Sequence, residues 1–272
     1  MINRLLAYSP NLKQSWILVV IILLCGVIVG GVATAITKGI VPEWANLIGS
    51  VFGYVVIALI VIRLGKSGSY EPVALPRQSP LLWLLLVLFT LTFGLVTAPL
   101  GMWIPMPDMI KQLFTDMLQN PLPAFLTAVV VAPLCEEWLM RGIILKGLLT
   151  RYSSQKAIVW SAVIFGFIHL NPWQSIPTFI AGLMLGWVYC RTRSLWICIF
   201  IHALNNAAEF IISVFFFPDY TVDAVIFKLT GGYYVYAAAL IVCVLTGIWI
   251  KNNISSVTMP DQQNQLNGHF PR

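Results

Sequence analysis

Two adjacent carboxylates and a guanidinium stand inside a long apolar stretch of this sequence. Glu136, Glu137 and Arg141 lie within residues 123–149, which otherwise predict a membrane-spanning helix. A charge at the centre of such a helix costs roughly 2.5–3.5 kcal/mol, so intramembrane charges are usually paired and functional. Glu137 and Arg141 are four residues apart with the acid first, which favours an ion pair along one helix face. Glu136 is rotated by about 100° and needs a partner on another element.

Two later apolar stretches supply polar groups that could meet Glu136. His169 ends the stretch 157–170, and His202 and Asn206 share one face of the stretch 195–217. The third histidine, His269, belongs to a polar tail at 251–272. At 1.5 Å per residue, Glu136, His169, His202 and Asn206 lie about 12–20 Å from one end of their helices. We therefore expect the four groups to meet in one layer.

A carboxylate and imidazoles in such a layer predict hydrolytic chemistry. Glu136 and one imidazole can share a water, and the carboxylate takes its proton as the oxygen attacks a carbonyl. A second imidazole and an amide N–H can hydrogen-bond the oxyanion that develops. Glu136, His169 and His202 could instead hold a Zn²⁺ with an open position for water. The sequence contains no HExxH, the usual signature of zinc proteases, so both alternatives stay open.

Other readings of the same residues belong to different function classes. Glu136, His169 and His202 could form the relay of a proton-coupled transporter. Against this hypothesis, no internal repeat relates the two halves of the chain. A non-enzymatic immunity or scaffold protein is the third hypothesis. Glu209, seven residues after His202, could join the site or pair with Asn205 on a neighbouring turn.

Composition indicates an all-α polytopic membrane protein that forms a single domain over residues 1–272. The chain is 59% hydrophobic and 10% charged, with a mean hydropathy of +0.86, which excludes an ordinary soluble domain. Its five cysteines form no CxxC pair, so the sequence indicates neither a disulfide framework nor a thiolate metal site. Spanning helices need about 20 apolar residues, and eight candidate spans are predicted at 16–36, 44–64, 81–104, 123–149, 157–170, 173–190, 195–217 and 233–250.

Basic residues predict the orientation of these spans. With a cytoplasmic N-terminus, the outer segments carry only Lys38, Lys111 and Lys228. The inner segments carry Arg4, Lys13, Arg63, Lys66, Arg77, Arg151, Lys156, Arg191, Arg193, Lys251 and Arg272. This asymmetry predicts a multi-pass protein of the cell membrane with both termini cytoplasmic. The net charge of +6 therefore reflects topology, and we expect no nucleic-acid partner.

Small residues and one proline predict how the spans pack. The pairs Gly26/Gly30, Gly49/Gly53 and Gly182/Gly186 have the four-residue spacing that lets helix backbones approach closely. Pro133 lies inside the fourth span, where it removes a backbone hydrogen bond and leaves the Val129 carbonyl in need of a polar partner. That disturbance lies within one turn of Glu136.

Over about residues 120–217 the sequence resembles the CAAX-protease and bacteriocin-processing family of intramembrane endopeptidases. This family includes the type II CAAX prenyl endopeptidases and the abortive-infection proteins. Its three motifs are resembled, in order, by Glu136-Glu137-x-x-x-Arg141, Phe165-x-x-x-His169 and His202-x-x-x-Asn206.

The resemblance implies an eight-helix fold with the site enclosed among the central helices. It also implies that Glu136 and His169 activate the water, that His202 and Asn206 stabilise the oxyanion, and that Glu137 and Arg141 support them. The implied substrate is a peptide precursor or a lipid-anchored protein in the bilayer. Zn²⁺ as a cofactor stays an open alternative.

Overall fold

The chain is helical almost throughout the residues that the computed structural model describes, which are 8–36, 42–65, 79–97, 107–216 and 232–254. In these ranges we number nine helices, namely α1 (Leu12–Ile36), α2 (Pro42–Leu64), α3 (Pro80–Thr97), α4 (Asp108–Leu118), α5 (Pro121–Leu149), α6 (Ser154–Phe167), α7 (Pro172–Thr192), α8 (Leu195–Phe216) and α9 (Tyr233–Asn253). No strand occurs in them, so the predicted all-helical class is confirmed for this part of the chain.

Five of these helices, α2, α3, α5, α8 and α9, are long and apolar enough to cross a membrane. Each of the eight predicted spans coincides with a helix, but the number of crossings stays a prediction. Helix α6 has 14 residues and rises only about 21 Å, less than the roughly 30 Å hydrocarbon core of a bilayer. The end of the predicted third span, residues 98–104, and most of the polar tail lie outside the described residues.

Helix α4 is an element that the apolar runs do not predict. Its charged residues place Asp108 beside Lys111, with Oδ1 and Nζ 3.0 Å apart on an exposed face. The predicted spans leave residues 105–122 as a connecting segment to which no helix was assigned. Polar and apolar residues can share one helix by occupying opposite faces.

Helix α5 lies at the centre of the described helices and contacts α2, α6, α7 and α8. Its C-terminal half, from Leu139 onward, is almost entirely buried, and Met140, Ile143, Ile144, Leu145 and Leu148 have no exposed surface. A helix that is apolar on all sides is expected only where other helices surround it. The charged motif is therefore held by the best-packed element of the described fold.

Helices α6 and α7 form the tight hairpin that the sequence predicts, with glycines at the contact. A Cβ added at Gly182 would lie 3.0 Å from the Ala162 Cα, and one at Gly186 would lie 3.1 Å from Ile158. The glycine pair of this hairpin therefore marks a real helix contact. For the pair in α1 the same expectation was wrong at Gly26, where an added Cβ would meet nothing within 4 Å.

Candidate active site

Glu137 is the centre of a buried ion-pair network. Its Oε1 atom lies 2.9 Å from Nη1 of Arg141, one turn further along α5, and both side chains are 0% exposed. The same oxygen lies 2.8 Å from Nδ1 of His202 on α8. Arg141 also donates from Nη2 to the Gly182 carbonyl of α7 at 3.2 Å. The Glu137–Arg141 pair thus ties three helices together.

Glu136 finds its partners on two other helices, as its position on a separate face of α5 predicts. The Tyr54 hydroxyl of α2 donates to Oε1 of Glu136 at 3.3 Å. Nε2 of His202 lies 3.9 Å from Oε2, the other carboxylate oxygen. This second distance is too long for a direct hydrogen bond. Glu136 is 16% exposed, whereas Glu137 is fully buried.

The contact with Glu137 fixes how His202 presents its ring. An ionised carboxylate only accepts hydrogen bonds, so Nδ1 of His202 carries a proton and donates to Glu137. Nε2 then faces Glu136, and it can donate a hydrogen bond only if the ring is protonated on both nitrogens. In that form Arg141 and His202 balance the two glutamates, and the buried network carries no net charge.

Asn206, one turn after His202 on α8, is held by an irregular turn of α5. Residues Leu126–Val131 form a π-helical turn, in which the Ala132 N–H bonds to Thr127, five residues earlier. In this register Pro133 would donate to Ala128, but proline has no N–H. The Ala128 carbonyl accepts instead from Nδ2 of Asn206 at 2.8 Å. The expectation that the Val129 carbonyl would need a partner was therefore wrong by one residue, because it assumed an α-helical register.

His169 lies in the turn between α6 and α7, not in the helix that was predicted to reach residue 170. Helix α6 ends at Phe167, and Asn171, in an extended conformation, caps the next helix by accepting from the Gln174 N–H at 2.9 Å. The ring of Pro172 disfavours a helical conformation at the preceding residue, Asn171. In the turn between the two helices, Leu170 has a φ of 54°, a strained conformation for a bulky side chain.

This turn also fixes the tautomer of His169. Its Nδ1 atom lies 2.9 Å from the Phe165 carbonyl, and because a carbonyl can only accept, Nδ1 carries the proton. Nε2 is left with a lone pair that can accept a hydrogen bond or bind a metal. The Phe165 ring lies edge-on to the rings of His169 and His202, with centroids 5.5 and 5.8 Å apart. Arg141 covers the same ring at 4.9 Å.

The structure brings together some of the predicted site residues and leaves others apart. Glu136, Glu137, Arg141 and His202 form one connected group. Among the described residues, no hydrogen bond or ion pair joins His169 or Asn206 to Glu136. Within the predicted layer, His169 is linked to His202 through the Phe165 ring between them. Asn206 belongs to the layer because it lies one turn after His202 on α8.

Sequence reasoning missed Tyr54 and the carbonyl of Gly182. A hydroxyl in the middle of an apolar span was the available signal for Tyr54, whereas a backbone acceptor leaves no signal in residue types. Glu209 takes the second of its two expected roles, since it accepts from Nδ2 of Asn205 at 2.8 Å.

The predicted zinc ligands do not form a compact set. Within the described parts of the chain, no three His, Cys, Asp or Glu side chains converge as a metal site requires. The Nδ1 contact of His202 with Glu137 would leave Nε2 available to a metal, but no ion pair links the described His169 and Glu136. This arrangement does not fit a Glu136–His169–His202 zinc centre, so we derive no chemical step through a metal, and Zn²⁺ stays a prediction.

An apolar groove of about 630 Å³ opens beside the His169 turn. It lies between the ends of α6 and α7, and its lining includes Val163, Phe167, Leu170, Ile176 and Phe179. Phe167 and Leu170 are 50% and 66% exposed. His169 itself is not among the residues that line this open groove.

Comparison with known proteins identifies the motif region. Residues 118–208 match the family model described as "Type II CAAX prenyl endopeptidase Rce1-like". The resemblance to the CAAX-protease family is confirmed. A protein of Bacillus subtilis (strain 168) named "Putative membrane peptidase YdiL" is 28% identical over 95 residues, which make up 35% of this chain and 39% of that protein. The chain thus matches about two fifths of this relative's length. No solved structure gives a significant match.

Proposed function

We propose that this protein is an intramembrane endopeptidase that hydrolyses a peptide bond in a membrane-associated substrate. The family match over residues 118–208 supports a membrane protease. The observation that carries the proposal is the placement of Glu136, a partly exposed carboxylate with Nε2 of His202 at 3.9 Å on one of its oxygens. A carboxylate held beside a hydrogen-bond donor can accept a proton from one reactant while the donor contacts another.

In the proposed first step, Glu136 removes a proton from a water while the water oxygen attacks the scissile carbonyl carbon. Nε2 of His169 contacts the same water, because the bond between Nδ1 and the Phe165 carbonyl leaves Nε2 free. The C–N bond then breaks, and Glu136 returns its proton to the departing amine. The carboxylate therefore acts first as general base and then as general acid.

The oxyanion of the tetrahedral intermediate requires donors on its other side. We assign this role to Nε2 of the doubly protonated His202 and to the second N–H of Asn206, whose first N–H bonds to Ala128. Donors fixed before the reaction can stabilise such an oxyanion by several kcal/mol. Glu137 and Arg141 support the donors, because Glu137 holds the His202 ring at 2.8 Å.

The proposed substrate is a peptide or lipid-anchored protein that reaches the site from the bilayer. The apolar groove beside His169 supports access of an apolar segment. We also propose that both termini face the cytoplasm of a bacterial plasma membrane, because the predicted inner segments hold most Lys and Arg residues.

Purified protein in lipid nanodiscs, incubated with a library of membrane-anchored peptides and followed by mass spectrometry, tests the proposal. Wild-type protein should release peptide fragments, and Glu136→Gln should lower the rate by at least about 10²-fold, because an amide cannot accept the proton of water. Asp116→Asn is the control, since Asp116 is a carboxylate of α4 that accepts from Gln112 and Gln119.

Cleavage that survives in Glu136→Gln would contradict the assignment of Glu136. Absence of cleavage by wild-type protein, together with proton-coupled solute uptake when the protein is reconstituted in lipid vesicles, would favour a transporter instead. Replacement of the motif residues without any phenotype in cells would favour an immunity or scaffold protein.

A further inference from the structure

A hydroxyl from outside the motif region reaches the proposed general base. Tyr54 lies on α2, and the matched family region begins only at residue 118. The Tyr54 hydroxyl lies 3.3 Å from Oε1 of Glu136, although 82 residues separate the two in sequence. Because an ionised carboxylate only accepts hydrogen bonds, Tyr54 is the donor.

The two oxygens of Glu136 consequently face different helices. Oε1 is engaged by Tyr54 of α2, while Oε2 lies on the side of His202 of α8 at 3.9 Å. A glutamate side chain has three rotatable bonds and samples many orientations unless a contact holds one of its oxygens. The Tyr54 contact leaves the oxygen nearer His202 for the reacting proton.

The hydroxyl is itself well fixed. The Tyr54 ring packs against the hydrophobic core, and α2 packs against Pro121–Phe125 and the π-helical turn Leu126–Val131 of α5. A rigid ring on a packed helix loses little conformational entropy when its hydroxyl donates. A buried tyrosine could alternatively use Glu136 only to satisfy its own hydroxyl, and these two roles predict different kinetics.

We propose that Tyr54 is a positioning residue of the active site, which orients the Glu136 carboxylate through its hydroxyl. The inference rests on the proposed endopeptidase function. It extends the site to a helix that the three sequence motifs do not include. A misplaced general base lowers the rate of the chemical step and leaves substrate binding largely intact.

Tyr54→Phe, which removes only the hydroxyl, tests this role. We expect kcat to fall roughly 10-fold, with KM within about 2-fold of wild type and unchanged folded yield. Tyr152→Phe is the matched control. Lys156 lies over the ring of Tyr152, and a phenylalanine ring would keep this contact. The kcat of this variant should equal the wild-type value. In a Glu136→Asp background, whose carboxylate is withdrawn by about 1.5 Å, Tyr54→Phe should cost less than about 2-fold.

Infrared difference spectroscopy gives a readout that does not depend on catalysis. The carboxyl band of Glu136 is the one that Glu136→Gln removes, and Tyr54→Phe should shift it because a hydrogen bond to that group is lost. An unshifted band would overturn the contact even if no substrate were cleaved. A shifted band with unchanged kcat, or a loss of kcat matched by a loss of folded yield, would overturn the positioning role and leave the endopeptidase proposal standing.

Discussion

Replacing Glu137 by glutamine removes the negative charge that faces Arg141 and His202 in the interior of the protein. Arg141 would keep its bond to the Gly182 carbonyl at 3.2 Å and its place over the Phe165 ring. Its only ion partner among the described residues would be gone, however, and its side chain is 0% exposed. No water can reach the guanidinium to replace the lost carboxylate without opening the packing around it.

The expected cost follows from this burial. Removing one partner of a fully buried ion pair destabilises a protein by about 3–5 kcal/mol, which multiplies the unfolding constant by roughly 10²·²–10³·⁷. Glu137→Gln should lie near the lower limit, because the amide oxygen can still accept from Arg141. Arg141→Ala should lie near the upper limit, because it also leaves a cavity. Glu136→Gln should cost about 1 kcal/mol or less, since Glu136 is 16% exposed and a glutamine oxygen can still accept from Tyr54.

Unfolding by sodium dodecyl sulfate in mixed micelles, followed by the fluorescence of the ten tryptophans, measures these differences. Folded yield after purification should follow the same order. If Glu136→Gln were as destabilising as Glu137→Gln, the two adjacent glutamates would not differ in role, and the division between a reacting and a supporting carboxylate would be refuted.

Three further predictions follow from other features. Gly182→Ala should destabilise the protein by about 1–3 kcal/mol, because a Cβ there would lie 3.0 Å from Ala162. Gly26→Ala, whose Cβ would meet nothing within 4 Å, should not destabilise it in the same unfolding experiment with sodium dodecyl sulfate. The zinc prediction is checked by metal analysis of the purified protein and by activity measured after chelation. If the protein binds no metal, the chelator leaves the rate unchanged. If it binds zinc, His202→Ala loses the bound zinc. A reporter fused after Asp108 should report the outside of the cell, and a cytoplasmic signal there would contradict the predicted topology.

The helices were largely predictable from sequence, because long apolar runs admit few other structures in a membrane. The pair formed by Glu137 and Arg141 was predictable for a similar reason, since four-residue spacing along one helix needs no knowledge of neighbouring elements. Helix α4 was not predictable by that route, because its apolar residues are interrupted by charges. This helix forms because its polar and apolar residues occupy opposite faces.

The contacts between helices were harder to predict, because they depend on rotation about each helix axis. Counting residues gave the depth of His202 and Asn206 but not that Nδ1 of His202 faces Glu137, or that the Asn206 amide bonds to α5. The contribution of Tyr54 was beyond counting for the same reason. His169 was placed in a helix instead of a turn because the break at Asn171-Pro172 acts several residues before the proline.

The π-helical turn before Pro133 has a consequence for how this helix tolerates change in length. Such a turn holds one residue more than the α-helical turn it replaces, so its removal would leave the residues on both sides nearly in place. A one-residue deletion within Leu126–Val131 should therefore be tolerated by the bundle. Pro133 has no N–H in either register, so the deletion would still leave one carbonyl about a turn before the proline for Asn206 to bond. The π-helical register thus decides that Ala128 and not Val129 is the acceptor, whereas the proline is what frees a carbonyl.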